Sequence, residues 1–541
     1  MKRHLFLSVF NVTLFFCFCL TSPLFAIDKA DSVVLQQLKA EEPELFERVE
    51  LIKENNREML SVTLSDILKM VIKRSITIEA DRLGEQAAQA GYQASKAVYG
   101  TNLSTSATQS KSVSNAGTNF ADDSATSSYL STTSTDASVL SATVSKKNSL
   151  GITFSSTLKS QKTQSKLYTV ADEGDDISGG NTTDDPLNYS SLSASVSIPI
   201  FQDWGEVNDL PVKRSQIAID QSRVTTYSTS IDLLESVAKT YWNLVGVQEN
   251  IKTLKEAVAL SEKLVRETKA RVDVGVLNPT DLKDAETQLA NNQKSLLSKL
   301  IEEQEIEDQI KVALDLGLIP YGFKPADMPR IHGEDLEFRP LLEKAYENSD
   351  TLQKLFISLK SNQYDLEEAL NDDKTDLDLS VSYTLNGYGA SSSDSVDGLS
   401  QQENQGYAVG ITWNVPLFDK TADQSIMKRR IERNKLELQI NDTKSQIYIN
   451  LQTILRNLKF GIEEERTAQL SVNLAKDLLE KEVEKLKIGK STSYNVSQAQ
   501  KTYTDAKLSE TLVRVKNEQT FVSLLVLTGD IFRHYDLPKS I

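Results

Sequence analysis

The sequence predicts an α+β membrane protein made of two copies of one unit, in which alternating strands feed a very long helix. Three observations carry this. One phrase occurs twice, as "ARVDVGVLNPTDLKDAE" at 270–286 and "EKLKIGKSTSYNVSQAQ" at 484–500. Each is preceded by apolar residues at helical spacing over a very long stretch, and each of those stretches is preceded by a run of strict alternation.

Taken in order, the chain opens with Lys2, Arg3 and an apolar run from Leu5 to Leu20, ending near Ser22-Pro23-Leu24-Phe25-Ala26. This reads as a secretory signal peptide over 1–26, cleaved before Ile27. A membrane anchor is the alternative, but the run is short for a bilayer span. Cys17 and Cys19 both lie inside it, so the mature chain has no disulfide and no thiol nucleophile. Phe18 before Cys19 argues against lipid attachment. An acidic segment, 27–60, has no counterpart in the repeat and reads as a solvated helix or arm.

Strand patterns come next. Leu192, Ala194, Val196, Ile198 and Ile200 alternate with serines and Pro199; Tyr407, Val409, Ile411, Trp413 and Val415 alternate with Ala408, Gly410, Thr412, Asn414 and Pro416. Further candidates lie around Leu103, Leu140 and Ile152 in the first copy and Leu377–Leu385 in the second. Small polar residues between apolar ones suit a strand with lipid on one side and water on the other. Alternation alone fits a soluble sandwich equally well; the export signal and the rods favour an outer-membrane barrel. The first copy has four strand candidates and the second two, so either the barrel is enlarged or a hairpin lies outside it. The expectation is a hairpin outside. Ser/Thr/Asn/Asp-rich stretches at 112–128 and 172–185 read as external loops, the latter lacking the spacing of a calcium loop.

The helices follow. In copy one, Pro211–Asp273 carries a face of Leu233, Leu234, Val237, Tyr241, Leu244 and Val245, continued by Leu254, Ala257, Leu260, Leu264 and Val265. In copy two, Ala422–Lys487 carries Ile447, Leu451, Ile454, Leu458 and Ile462, then Leu470, Leu474, Leu478 and Val483. Each rod would be on the order of 95 Å long, far beyond an ordinary globular helix. Gly275 and Gly489 fit the left-handed position just past a helix end. Asn278 with Pro279 and Asp281, or Ser491 or Thr492 in copy two, would cap the returning helix. The repeated phrase therefore encodes an αα-hairpin.

The formal charge of −16, more acidic still without Lys2 and Arg3, argues against nucleic acid as a partner. His332 and His534 are far apart in sequence and show no ligand spacing. No cofactor, metal cluster, nucleophile motif or phosphate-binding loop is expected, and the chain is not read as an enzyme.

These features together resemble the TolC-like outer-membrane efflux protein family, from about Val62 to Thr528. "SVTLSDILKMVIKRSITIEA" (61–80) looks like its opening helix, "SIPIF" (197–201) and "NVPLF" (414–418) like its strand-to-helix transitions, and the two Val/Ile-Gly hairpins are the most specific part. The resemblance implies a homotrimer with a shared β-barrel in outer-membrane lipid, continued by a periplasmic α-helical barrel. It divides the mature chain into efflux repeats at 61–320 and 321–541. It implies a passive exit duct for efflux or type I secretion, served by a periplasmic adaptor and an inner-membrane efflux pump or ABC transporter. A poreless periplasmic coiled-coil protein is the alternative. Val274, Gly275, Val276, Ile488, Gly489 and Lys490 match the adaptor-docking tips, Lys490 departing from the usual small or apolar residue. The family's aperture aspartates fall on Asn495 and Gln498, so that ring is missing. Asp281 and Asp284, beside Thr280 in the equivalent stretch of copy one, are the candidate replacement.

Overall fold

The computed structural model describes residues 50–54, 57–122, 125–171, 182–183, 185–317, 321–333, 336–401, 404–415, 417 and 420–538. The signal peptide, most of the acidic segment and most of the 172–185 stretch lie outside the described residues. The described residues of 80–228 and 349–446 form one compact unit, and those of 1–79, 229–348 and 447–541 form the other. Each draws on both halves of the sequence.

The first unit is built on a sheet of β3 (Thr101–Asp122), β4 (Ala125–Lys147), β5 (Thr153–Ala171), β7 (Leu187–Pro199), β9 (Asp376–Gly389) and β10 (Asn404–Asn414), in the order β10-β9-β7-β5-β4-β3. A two-residue strand, β6 (Thr182–Thr183), pairs with β5 off this path. Every neighbouring pair along the sheet is antiparallel. One expectation fails here. Residues 112–122 and 125–128 are strand, not loop, because the Ser/Thr-rich arms still satisfy their backbone groups in a continuous ladder. The hairpin β3–β4 belongs to the same sheet, since β4 pairs with β5 along all 19 residues of β5.

Register gives the sheet two chemistries. One row crosses all six strands as Leu103, Val144, Ser156, Ala194, Tyr383 and Tyr407; the next as Thr105, Ala142, Leu158, Leu192, Leu385 and Gln405. On the opposite face the row reads Ser104, Thr143, Thr157, Ser193, Thr384 and Gly406. The apolar face is solvent-exposed in the single chain, Tyr407, Val409, Ile411 and Trp413 among its residues. A short helix, α7 (Ser392–Asp397), lies against β7 and β9, where a Cβ at Gly387 would strike the Ser395 carbonyl. At the opposite end, Tyr99 donates to the Asn208 carbonyl and to Asp209, and its pKa is pushed up to about 12 by burial, with Asp209 adding to it. Asn371 and Asp203 exchange two hydrogen bonds there.

The second unit begins with β1 (Glu50–Glu54) and β2 (Arg57–Val62), a hairpin whose second strand pairs in parallel with β8 (Gly322–Pro325). This end of the acidic segment is thus sheet rather than helix. Thr63 then caps α1 (Leu64–Arg74) in a reciprocal box with Asp66. The expected single opening helix is two, because Ser75 is extended and α2 (Ile76–Lys96) restarts after it. Tyr241 fastens the strands to the helices: its hydroxyl donates to Asp327, whose carboxylate also accepts from the Leu64 amide at 2.7 Å.

The long helices are α3 (Leu210–Asp273), 64 residues, and α8 (Thr421–Lys487), 67 residues, returning as α4 (Pro279–Ala313) and α9 (Ser493–Thr528). Between α4 and β9 lie α5 (Phe338–Asn348) and α6 (Asp350–Asp372). Leu451, Leu458 and Leu524 form a core with Phe338, Leu341 and Leu342 of α5 packed against it. The two histidines that look isolated in the sequence share Phe521, His332 stacking on it at 3.8 Å and His534 meeting it edge-on. Burial, then the charge of His332, holds the His534 pKa down. His332 is within 3.2 Å of the buried Glu518. One part of the predicted helical face is wrong: Leu470, Leu474 and Leu478 are exposed, and Val472, Ala475, Leu479 and Leu486 are buried instead. Helix α8 has two apolar faces in this region, and the chain covers one.

Candidate functional site: the two hairpin tips

Both long helices end in the same hydrogen-bonded turn. In the first, Gly275 N donates to the Val272 carbonyl and Val276 N to Arg271; in the second, Gly489 N donates to Leu486 and Lys490 N to Lys485. This double closure needs a left-handed residue at the helix end. Gly275 sits at φ 76° and Gly489 at φ 74°. No atom lies within 4 Å of where a Cβ would be at either glycine, so backbone conformation alone selects them.

The returning helices start alike too. Asn278 accepts from the Thr280 amide while Asp281 accepts from the Asn278 amide at 3.1 Å, with Pro279 in the first turn. Thr492 accepts from the Asn495 amide. The offset relating Gly275 to Gly489 also relates Asn278 to Thr492, Asp281 to Asn495 and Asp284 to Gln498. The two candidate pairs therefore occupy the same helical turn of the two copies.

The tips present apolar side chains to solvent. Val274, Val276, Ile488 and Tyr494 are all exposed. Asp284, Asn495, Gln498 and Lys490 are exposed as well, and Thr280 is spent on its own cap. Lys283, between the two aspartates, is engaged by Glu286 at 2.8 Å, which raises its pKa.

Behind the tips the copies lock together. Leu264 of α3 packs with Leu479, Leu486, Val496 and Ala499 of the second hairpin. The Arg271 guanidinium donates to the Leu486 carbonyl at 3.0 Å, and the Thr268 and Ser493 hydroxyls are 2.8 Å apart. The Gln500 amide donates to the Ala257 carbonyl and accepts from Ser261, whose hydroxyl also takes a bond from Asn292. Arg271, Thr268, Ser493 and Gln500 escaped sequence reading, although two buried hydroxyls at helical spacing with an apolar stripe were a usable signal.

This arrangement holds surfaces and charges; among the described residues no group of acids, histidines or cysteines could hold a metal ion. No described helix is long and apolar enough to cross a membrane.

Residues 149–314 match the family described as outer membrane efflux protein. The structure is similar to the outer membrane protein VceC of Vibrio cholerae, with TM-score 0.61 at 12% identity over 86% of this chain and 96% of that one. It is similar to the Campylobacter jejuni outer membrane channel CmeC, with TM-score 0.61 at 14% identity over 88% and 90%. The open state of the Neisseria gonorrhoeae channel MtrE matches at TM-score 0.58 and 11% identity, over 86% and 88%. No curated protein sequence matches. Residues 149–314 thus carry an outer membrane efflux protein signature, and the fold is that of outer-membrane channels.

Proposed function

We propose that this protein is the outer-membrane exit duct of a tripartite efflux or type I secretion system. Three copies share one barrel in outer-membrane lipid, and their helices continue it into the periplasm. Repeats at 61–320 and 321–541 supply two hairpins per copy. Substrate passes through the lumen without chemistry, driven by an inner-membrane efflux pump or ABC transporter and handed over by a periplasmic adaptor. The adaptor seats on the tips, Val274-Gly275-Val276 and Ile488-Gly489-Lys490. Asp281 and Asp284, with Asn495 and Gln498 in the matching turn, line the periplasmic aperture.

The observation that carries this reading is the two-faced sheet. Its exposed apolar band is unfavourable in water, and Leu377–Leu385 is about the length a tilted strand needs to cross the bilayer. A poreless scaffold has no use for such a band. The uncovered stripe Leu470, Leu474 and Leu478, with Leu297 and Ile301 of α4 also exposed, suits burial against another copy. Reconstituted in a planar bilayer, the purified protein conducts ions; a folded protein that inserts and gives no conductance overturns the duct.

A further inference from the structure

We infer that all six long strands of each copy enter the barrel, so that the wall holds eighteen strands, with β3 of one copy pairing with β10 of the next. This rests on the trimeric reading above and adds the edge through which the copies join.

The first ground is occupancy. Among the described residues the sheet has two free edges, β3 and β10. The outer edge of β5, where a four-stranded contribution would end, is taken by β4 along its whole length, whereas β5 meets β7 only from Thr153 to Thr163. Releasing the hairpin would strip the longest β5 ladder. An open sheet edge in hydrocarbon leaves unpaired N–H and C=O groups that no water can satisfy. The edge that remains to be closed is therefore the one on β3.

The second ground is direction. Along the path from β10 to β3 every step is antiparallel, and the number of strands is even. The terminal strands consequently run in opposite senses. When identical copies follow one another around a ring, β3 meets the next β10 antiparallel, and the alternation continues without a fault.

The third ground is chemistry. The hairpin keeps the division of faces found in the rest of the sheet. Leu103, Ala107, Leu140 and Val144 stand on the apolar face, while Ser104, Ser106, Ser141 and Thr143 stand on the small polar one. Ser106 and Ser141 hydrogen-bond across the pair at 2.8 Å, and Thr143 and Thr157 carry the contact on to β5 at 3.0 Å. A hairpin lying in water outside the barrel would have no reason to expose leucines on the face that β7, β9 and β10 turn to lipid. Barrel diameter grows roughly linearly with strand number, and walls of this size leave an aqueous channel. A wall of eighteen strands is about 1.5 times as wide as one of twelve, which suits bulky solutes or polypeptide.

Disulfide trapping in the full-length chain tests this, because both natural cysteines lie in the signal segment. One set combines Ser104→Cys on β3 with Gly406→Cys, Ala408→Cys or Gly410→Cys on β10, to scan register; a second combines Thr157→Cys on β5 with the same three. Each is oxidised in outer membranes and read on non-reducing gels, with the mass of the purified oligomer measured separately. The expected result is covalent linkage of copies in at least one β3–β10 combination and in no β5–β10 combination. Linkage through β5, or none in either set in a protein whose mass is three chains, overturns the eighteen-strand wall and leaves the duct standing. A mass other than three chains overturns the trimeric reading itself.

Discussion

The two hairpin tips share a backbone and differ in chemistry. Their closing hydrogen bonds, left-handed glycines and capped returns coincide residue for residue. Yet Val276 corresponds to Lys490 in the other copy, and Asp281 and Asp284 correspond to Asn495 and Gln498. The strands diverge further, four long ones before α3 against two before α8. What duplication preserved is the geometry that turns a long helix back on itself. What it released is the side-chain content at the positions that meet something else. Shared features of the two tips are thus scaffold, and differences between them are where function is to be sought.

The largest effect should come from breaking what the tips share. Gly275→Val and Gly489→Val each place a branched side chain in a left-handed conformation that costs an ordinary residue roughly 1–2 kcal/mol. With open space around both glycines, the penalty stays local. Transport of a reporter substrate should fall severely in each mutant while trimer abundance in the outer membrane holds. Equal losses mean that both tips dock through the same turn; unequal losses assign docking to one copy. Normal transport in both would refute docking through the turns.

A smaller effect should follow from erasing a difference. Asp281→Asn with Asp284→Asn makes the first copy's turn as neutral as the second's while keeping side-chain size and the capping acceptor. Clustered carboxylates around a narrow axis attract cations, so single-channel recordings should show cation preference lost and block by multivalent cations weakened. Unchanged selectivity in an assembled double mutant means that both aspartates serve only the helix start, where negative charge is favourable.

The smallest effect concerns the caps. Asn278→Ala and Thr492→Ala should each cost about 1 kcal/mol, read as a modest drop in thermal midpoint. The loss should be greater for Asn278, whose side-chain oxygen also accepts from the Thr280 hydroxyl. Equal shifts would show that this second bond adds nothing.

Much of this was legible in the sequence because it is local. Helix α3 begins one residue before Pro211 and ends at Asp273 as periodicity indicated, and the cap at Asn278 followed from residues three apart. The polar stretch at 112–128 misled because low hydrophobicity resembles loop, although Ser and Thr form strands readily once a partner strand is present. Leu470, Leu474 and Leu478 misled for a different reason. A helix with two apolar faces offers two stripes, and one sequence does not say which the same chain will bury. Arg271, Thr268 and Gln500 act between the repeats, across separations that periodicity does not register. The pairing of His332 and His534 through Phe521 is of the same kind.

The alternation in the strands bears on how such a protein reaches its membrane. In Leu192–Ile198 a serine follows each of Leu192, Ala194 and Val196, so no window is uniformly hydrophobic. Windows of 5–7 apolar residues are what drive unfolded chains to aggregate. An unpaired strand of this type is only mildly greasy, and it gathers its leucines onto one side only as the ladder forms. Joining β7 to β9 requires the second half of the chain, since Leu192 pairs with Leu385. The nascent protein can therefore cross an aqueous compartment as a polar polymer and become amphiphilic at the moment of assembly.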